Sequence, residues 1–176
     1  REALFELRGE GLLDQLPRRG FVVLPVTDRD IADVSNLQAH VGGELAARAA
    51  LRIGDERLRE LSVIHGELVQ AYAANDEDRA VRLNHEFHRA INVAAESPKL
   101  AQLMSQITRY APESVFPTIE GWPAKSVADH KRILLALKAR DVGKARTAMA
   151  DHLAAGATPL TDHLLKQGVA QRVRQT

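Results

Sequence analysis

From Thr27 onward the chain carries one dominant pattern: apolar residues recur at intervals of three and four positions, with short polar breaks between the runs. Such spacing places apolar side chains along one face of a helix. Capping and breaking residues, among them Asp55, Asn75, Ser97 and Asp141, separate the runs. We predict helices that begin near positions 28, 55, 76, 97, 126, 141 and 159. The predicted fold is all-α, an antiparallel bundle of six or seven helices.

The composition agrees with a helical core and limits the chemistry. Hydrophobic residues make up 45% of the 176 residues and aromatic residues only 4%, so leucine and alanine supply most of the packing. Cysteine is absent, which excludes disulfides and thiolate metal sites. No apolar run approaches the ~20 residues of a membrane span, so we expect no membrane partner and a cytoplasmic location.

Residues 1–26 differ from the rest of the chain. A short helical run with leucines at positions 4 and 7 stops at Gly9 and Gly11. The segments 13–16 and 21–25 then have the pattern of two strands joined by a turn. A helix followed by a hairpin with a basic tip is typical of the C-terminal half of a winged helix. Because the chain opens inside a helix without a capping residue, we expect further sequence of that domain to precede it.

Four residues of this first segment are candidates for contact with DNA. Arg1 lies on a helix that can enter a major groove, where an arginine fork reads guanine. Arg18, Arg19 and Gly20 form the hairpin tip, which can reach a minor groove or phosphates. The alternative is an ordinary surface hairpin, because residues 1–20 carry four basic and four acidic groups. The formal net charge of +1 does not decide between the two.

A second group of candidates is built on histidine. Asn84 and His88 are one helical turn apart and share a face. His130 and His152 lie 11 residues before and 11 after Asp141, where two helices are predicted to meet, so antiparallel packing brings them to one level. Three inward imidazoles can bind a divalent ion, with Asn84 as a weaker fourth ligand. The alternative is three separate core histidines. For a metal site, we expect release of the ion as the histidines protonate near their ordinary pKa of about 6.5.

The first segment resembles a family of DNA-binding proteins. The runs Arg1-Glu-Ala-Leu, Gly11-Leu-Leu and Pro17-Arg-Arg-Gly are similar to the end of the recognition helix and the wing of GntR-superfamily regulators. The resemblance implies that Arg1 contacts operator DNA and that Arg19 and Gly20 form the wing tip. Residues 1–26 are then a partial winged-helix DNA-binding domain.

The rest of the chain resembles the FCD domain of the FadR-type branch, across residues from about 28 to 165. The motifs that carry the resemblance are Asn84 to Ile91, Asp129 to Ile133, and Ala145 to His152. The resemblance implies a homodimeric repressor in which residues 27–176 bind a small-molecule effector and mediate dimerisation. It also implies a Zn or Ni ion at the floor of the effector cavity, held by three histidines and an aspartate.

At several positions this chain departs from the family pattern. Asn84 stands where the family has the aspartate, which removes one anionic ligand. Gln38 and Gly42 stand where the family often has an arginine and a glutamate, so a charged fork to a carboxylate is lost. Neutral ligands leave the charge of the ion uncompensated, so we expect a small carboxylate effector. The candidate effector-binding residues are therefore Gln38 and the possible replacements for the lost arginine, Arg89, Arg109 and Arg132.

Two other functions stay open on the sequence alone. A three-histidine metal site can activate water, so a metal-dependent helical-bundle hydrolase is one alternative. The sequence shows no nucleophile paired with a base, and Glu86 and Asp129 are only neighbours of the ligands. A ligand-free oligomerisation module is the other alternative, and it predicts a filled interior. We predict a regulator and no enzymatic activity.

Overall fold

The computed structural model describes residues 1–111 and 113–173, and helices dominate this part of the chain. The α-helices are α1 (Glu2–Gly9), α2 (Asp28–Arg52), α3 (Asp55–Ala73), α4 (Glu77–Ala94), α5 (Pro98–Thr108), α6 (Trp122–Lys138), α7 (Val142–Ala155) and α8 (Ala157–Lys166). The strands are β1 (Leu13–Leu16), β2 (Gly20–Val23), β3 (Val26–Thr27) and β4 (Ala170–Gln171), and a 3₁₀ helix spans Glu113–Thr118. The predicted helical bundle, preceded by a helix and a hairpin, is confirmed. Among the helices of the described part, none combines the length and the apolarity that a membrane crossing requires.

Local sequence signals set several helix ends. Thr27 caps α2 and forms a capping box with Asp30, so that helix begins at Asp28. Asp76 and Asp141 accept hydrogen bonds from the first turns of α4 and α7, as their positions predict. The chain therefore turns between these helices where the sequence predicts.

The start of α6 differs from the prediction. The helix begins at Trp122, one turn before the predicted start near position 126, where Ser126 and Asp129 have the spacing of a capping box. Gly121 takes a left-handed φ of 77° at the N-cap, and Pro123 occupies the first turn, where its missing N–H has no helical partner to lose. Ser126 and Asp129 are buried within the helix. The predicted start near position 126 is therefore wrong, because both polar side chains face the interior instead of capping the helix.

The central helix α2 packs closely along α7. A Cβ on Gly43 would lie 3.0 Å from the carbonyl oxygen of Arg146 and 3.3 Å from Cβ of Ala150. A Cβ on Gly42 would overlap Cδ1 of Leu153. The helix runs unbroken through this glycine pair. The two glycines permit the close approach of the two helices.

The core lies between α2, α4, α6 and α7. Its largest fully buried side chains include Leu45, Leu61, Phe87, Ile91, Ile133, Leu137 and Met149. Phe87 and Ile91 are one turn apart, which confirms the predicted apolar face of α4. Burial of each such side chain stabilises the fold by about 1.5–3 kcal/mol. Because His88 follows Phe87 directly, this packing also fixes the position of one candidate ligand.

A short parallel pair of strands joins the two ends of the bundle. β3 pairs with β4, with Val26 opposite Ala170. The backbone N–H of Val173 also donates a hydrogen bond to Asp28 at 3.0 Å. Backbone pairing therefore holds the stretch from Ala170 to Val173 against the start of α2. The positions after 173 lie outside the described residues.

Candidate metal centre and ligand cavity

Three helices of the core bring three histidines to one point. His88 comes from α4, His130 from α6 and His152 from α7. One nitrogen atom of each ring lies within 4.8 Å of the corresponding atoms of the other two. The Nε2 atoms of His130 and His152 are 3.3 Å apart. His130 and His152 are buried and His88 is partly buried, so the cluster lies at the edge of the core.

Aromatic packing holds these rings in place. The ring of His130 stacks on Phe87, with centroids 4.2 Å apart and an interplanar angle of 7°. The rings of His88 and His152 also stack, with centroids 5.2 Å apart. Since Phe87 and His88 are adjacent on α4, one helix supplies both a stacking surface for His130 and a ligand nitrogen.

A buried carboxylate orients His152. Oδ2 of Asp129 lies 3.3 Å from Nδ1 of His152 and accepts a hydrogen bond of 2.7 Å from Nζ of Lys125. An ionised carboxylate only accepts hydrogen bonds, so Nδ1 of His152 carries the proton and the lone pair of Nε2 faces the cluster. The hydrogen bond with His152, followed by that with Lys125, lowers the pKa of Asp129 to about 2. In the sequence, only the position of Asp129 directly before His130 on a helix with an apolar face points to this role.

The buried rings of His88 and His130 are neutral at pH 7. Burial lowers the pKa of His88 to about 3, with further lowering by His152 and His85. Burial also lowers the pKa of His130 well below its ordinary value, and the neighbouring His88, His152 and His65 add to this effect. Neutral imidazole is the form that binds a metal, so these donors fit a divalent ion. Because the pKa values of both rings are lowered, protonation of these two rings requires a more acidic solution than protonation of an exposed histidine.

Two neighbouring chambers lie beside the histidine cluster. The inner chamber has a volume of about 40 Å³ and the outer one about 380 Å³, and His88 and Glu113 line both. Asn84 and Gln38, two of the positions that depart from the family pattern, line the inner chamber together with Ser35. A cavity with polar side chains at its floor fits a bound small molecule. A ligand-free module predicts a filled interior without such a cavity.

The fold separates the three candidate arginines. Arg89 and Arg109 line the outer chamber. Arg132 lies on the groove between α6 and α7, where it pairs with Asp151 at 3.2 Å and with Asp129 at 3.7 Å. The structure therefore brings Arg89 and Arg109 to the cavity and places Arg132 beside the carboxylate that orients His152.

Two titratable residues near the cluster were not singled out from the sequence. Burial raises the pKa of Glu113, in the 3₁₀ helix, to about 7. His65 on α3 has its ring centroid 6.3 Å from that of His130, and burial lowers the pKa of His65. Glu113 follows an irregular segment without helical periodicity, so no spacing rule identified it. The wall of the inner chamber beside Glu113 includes Trp122, which is buried against Phe116.

The candidate DNA-contacting residues lie on the surface of the N-terminal segment. Arg1 precedes α1, and Arg1, Arg18, Arg19 and Gly20 are all exposed. β1 and β2 pair antiparallel with Leu16 opposite Gly20, so Arg18 and Arg19 form the predicted hairpin tip. Arg18 and Gly20 adopt left-handed φ values of 62° and 85°, which a tight turn favours. The hairpin therefore presents both arginines to solvent.

The helical bundle places a cluster of three histidines beside a cavity with polar side chains in its wall. Residues 33–155, most of the chain, match the FCD domain family. The chain therefore belongs to the FCD domain family, as its resemblance predicts.

Relatives and solved structures agree with this placement. The HTH-type transcriptional regulator McbR of Escherichia coli (strain K12) is 24% identical over 158 residues, which are 86% of this chain and 70% of that protein. The structure of E. coli McbR/YncC has a TM-score of 0.79 at 23% identity, over 93% of this chain and 83% of that one. Streptococcus agalactiae GntR has a TM-score of 0.64 at 21% identity, over 90% of this chain and 80% of that one. The McbR relative is an HTH-type transcriptional regulator, which agrees with the prediction of a regulator.

Proposed function

We propose that this protein is a ligand-responsive repressor in which residues 1–26 belong to the DNA-binding domain and residues 27–176 sense a small molecule. The observation that carries the proposal is the convergence of three histidine nitrogens, within 4.8 Å of one another, at the junction of two chambers. A regulator of this kind responds when its ligand binds one arrangement of the DNA-binding segments better than another.

In this proposal His88, His130 and His152 hold a divalent ion, Zn or Ni, and Asn84 provides a weaker fourth ligand. The ion supplies positive charge at the floor of the cavity. None of these four side chains carries a compensating negative charge when the imidazoles are neutral. A small carboxylate is therefore the effector class that best completes the site, with Gln38, Arg89 and Arg109 in the chamber walls.

Metal analysis tests the site directly. Protein purified without chelator should contain close to one Zn or Ni ion per chain by plasma mass spectrometry. His130→Ala should remove the ion, and Asn84→Asp should bind it more tightly because an anionic ligand is restored. His40→Ala, on the exposed surface of α2, is the matched control and should keep the ion. Wild-type protein without stoichiometric metal, together with no effect of Asn84→Asp, would contradict the metal site.

DNA binding and assembly test the rest of the proposal. The regulator should be a homodimer, because a palindromic operator mirrors a two-fold axis of the protein. In an electrophoretic shift on its own promoter, the full-length protein should bind, and Arg19→Ala should weaken binding and reduce its dependence on salt. A monomer by light scattering at micromolar concentration would contradict the proposed dimer.

A further inference from the structure

Glu10 links the N-terminal segment to the bundle. This residue directly follows α1, and its two carboxylate oxygens lie 2.5 and 2.6 Å from Nη2 of Arg109. The hydroxyl of Tyr110 donates a hydrogen bond of 2.9 Å to the backbone oxygen of Glu10. Both partners lie at the C-terminal end of α5, so α1 is tied to one defined point on the bundle.

This link stands alone among the polar contacts of the described residues. Within them, every hydrogen bond and ion pair between residues 1–25 and residues 28–173 involves Glu10. The remaining attachment is the chain itself, which continues through β3 into α2. A change at Glu10 therefore alters how firmly α1 and the hairpin are held.

Arg109 has a second environment as well. Its side chain lines the outer chamber together with His88 and Arg89, and it is 58% exposed. A guanidinium group has five N–H donors, and a planar carboxylate is the group that matches its fork. The contact with Glu10 shows that the Arg109 guanidinium binds a carboxylate in the folded protein.

We propose that Arg109 is an anion subsite of the outer chamber, that Glu10 occupies it in the unliganded protein, and that a dicarboxylate effector displaces Glu10. The proposal rests on the proposed function, since the first carboxylate of the effector is directed to the histidine cluster. Its second carboxylate then competes with Glu10 for the same guanidinium. Occupation of the cavity thereby releases α1, and with it the segment that carries Arg1.

Calorimetric titration of the metal-loaded full-length protein with malonate, succinate and acetate tests this competition. Glu10→Gln should tighten the binding of a dicarboxylate by about two- to tenfold, because an internal competitor of ordinary surface strength is removed. Acetate, which has no second carboxylate, should bind with equal affinity to wild type and to Glu10→Gln. Arg109→Gln should weaken the binding of the dicarboxylate. In the Arg109→Gln background, Glu10→Gln should no longer change this affinity. Glu67→Gln is the matched control, since it breaks an exposed pair with Arg79 elsewhere and should change nothing.

Spin-label distances provide a second readout of the same link. The chain has no cysteine, so labels can be placed at Asp14→Cys and Lys99→Cys, both exposed positions on β1 and α5. Glu10→Gln should broaden the distance distribution, the dicarboxylate should broaden it in wild type, and the exchanged pair Glu10→Arg with Arg109→Glu should restore the narrow distribution. A dicarboxylate that binds with equal affinity to wild type and Glu10→Gln would overturn the subsite and leave the proposed function intact. Failure of all three carboxylates to bind any of these proteins would overturn the proposed effector class, and the subsite with it.

Discussion

Asp129 and His152 face each other inside the bundle, with Oδ2 of the carboxylate 3.3 Å from Nδ1 of the imidazole. The contact fixes the ring so that its other nitrogen points at His130. Asp129→Asn replaces the charged acceptor with an amide that can turn its NH₂ group toward the ring. We expect metal affinity to fall by about 10- to 100-fold, measured by competition with a chromophoric chelator.

Asp151→Asn is the control for this substitution. Asp151 lies on the same helix as His152 but is exposed and pairs with Arg132. This variant should bind the ion as wild type does. Equal metal affinity in Asp129→Asn and wild type would show that Asp129 does not orient the ligand.

Gly43→Val should destabilise the protein by about 1–3 kcal/mol, because the new side chain meets the backbone of α7 and must force the helices apart. Urea unfolding monitored by circular dichroism measures the free energy of unfolding. Gly66→Val is the matched control, since Gly66 is exposed in the middle of α3 and a Cβ there meets nothing within 4 Å. A similar loss of stability in both variants would refute the close-packing role of Gly43.

Glu113 should make the metal-free protein less stable as the pH rises. Burial raises its pKa to about 7, so the folded protein holds a proton that the unfolded chain releases near pH 4.5. The contribution of this group to the free energy of unfolding therefore decreases as the pH rises from 4.5 to about 7. Glu113→Gln removes the contribution and should be more stable than wild type by about 1–3 kcal/mol at pH 8, with little difference at pH 4.5.

Parallel urea titrations of wild type and Glu113→Gln at pH 4.5 and pH 8 give this difference. Glu120→Gln provides the control, because that side chain is exposed close to Glu113 in sequence. A stability difference between Glu113→Gln and wild type that stays constant with pH would refute the buried, protonated state.

The metal-loaded protein should keep its ion at pH 6. Burial lowers the pKa of His88 to about 3 and that of His130 in the same direction, so protons compete with the ion only in more acidic solution. Equilibrium dialysis against nickel between pH 4 and pH 8 measures the midpoint of release. A midpoint at about 6.5, the value for an exposed histidine, would be inconsistent with the buried cluster.

The sequence predicts the histidine cluster because local and long-range rules agree there. Asn84 and His88 share a helix face by spacing alone, and equal distances from the turn at Asp141 bring His130 level with His152. The same reasoning cannot place a side chain from an irregular segment. For this reason the position of Glu113 beside the histidine cluster is visible only in the folded structure.

The errors of prediction arise where the interior overrides a local signal. The Ser126 to Asp129 pattern is that of a capping box, yet α6 begins earlier and uses Asp129 to orient His152. Glycine weakens an isolated helix, yet close packing against α7 accounts for Gly43. In each case the deciding partner lies on another helix, which the spacing of residues within one segment does not reveal.

The pairing of β3 with β4 has a consequence for synthesis of the chain. β4 follows all eight helices of the described part, so β3 has no pairing partner until nearly the whole bundle has left the ribosome. The hairpin of β1 and β2 is local and can close early. The segment that joins this hairpin to α2 gains its backbone pairing only after Ala170 has been added. Nascent chains that stop before Ala170 should therefore hold the hairpin on the bundle through the contacts of Glu10 alone.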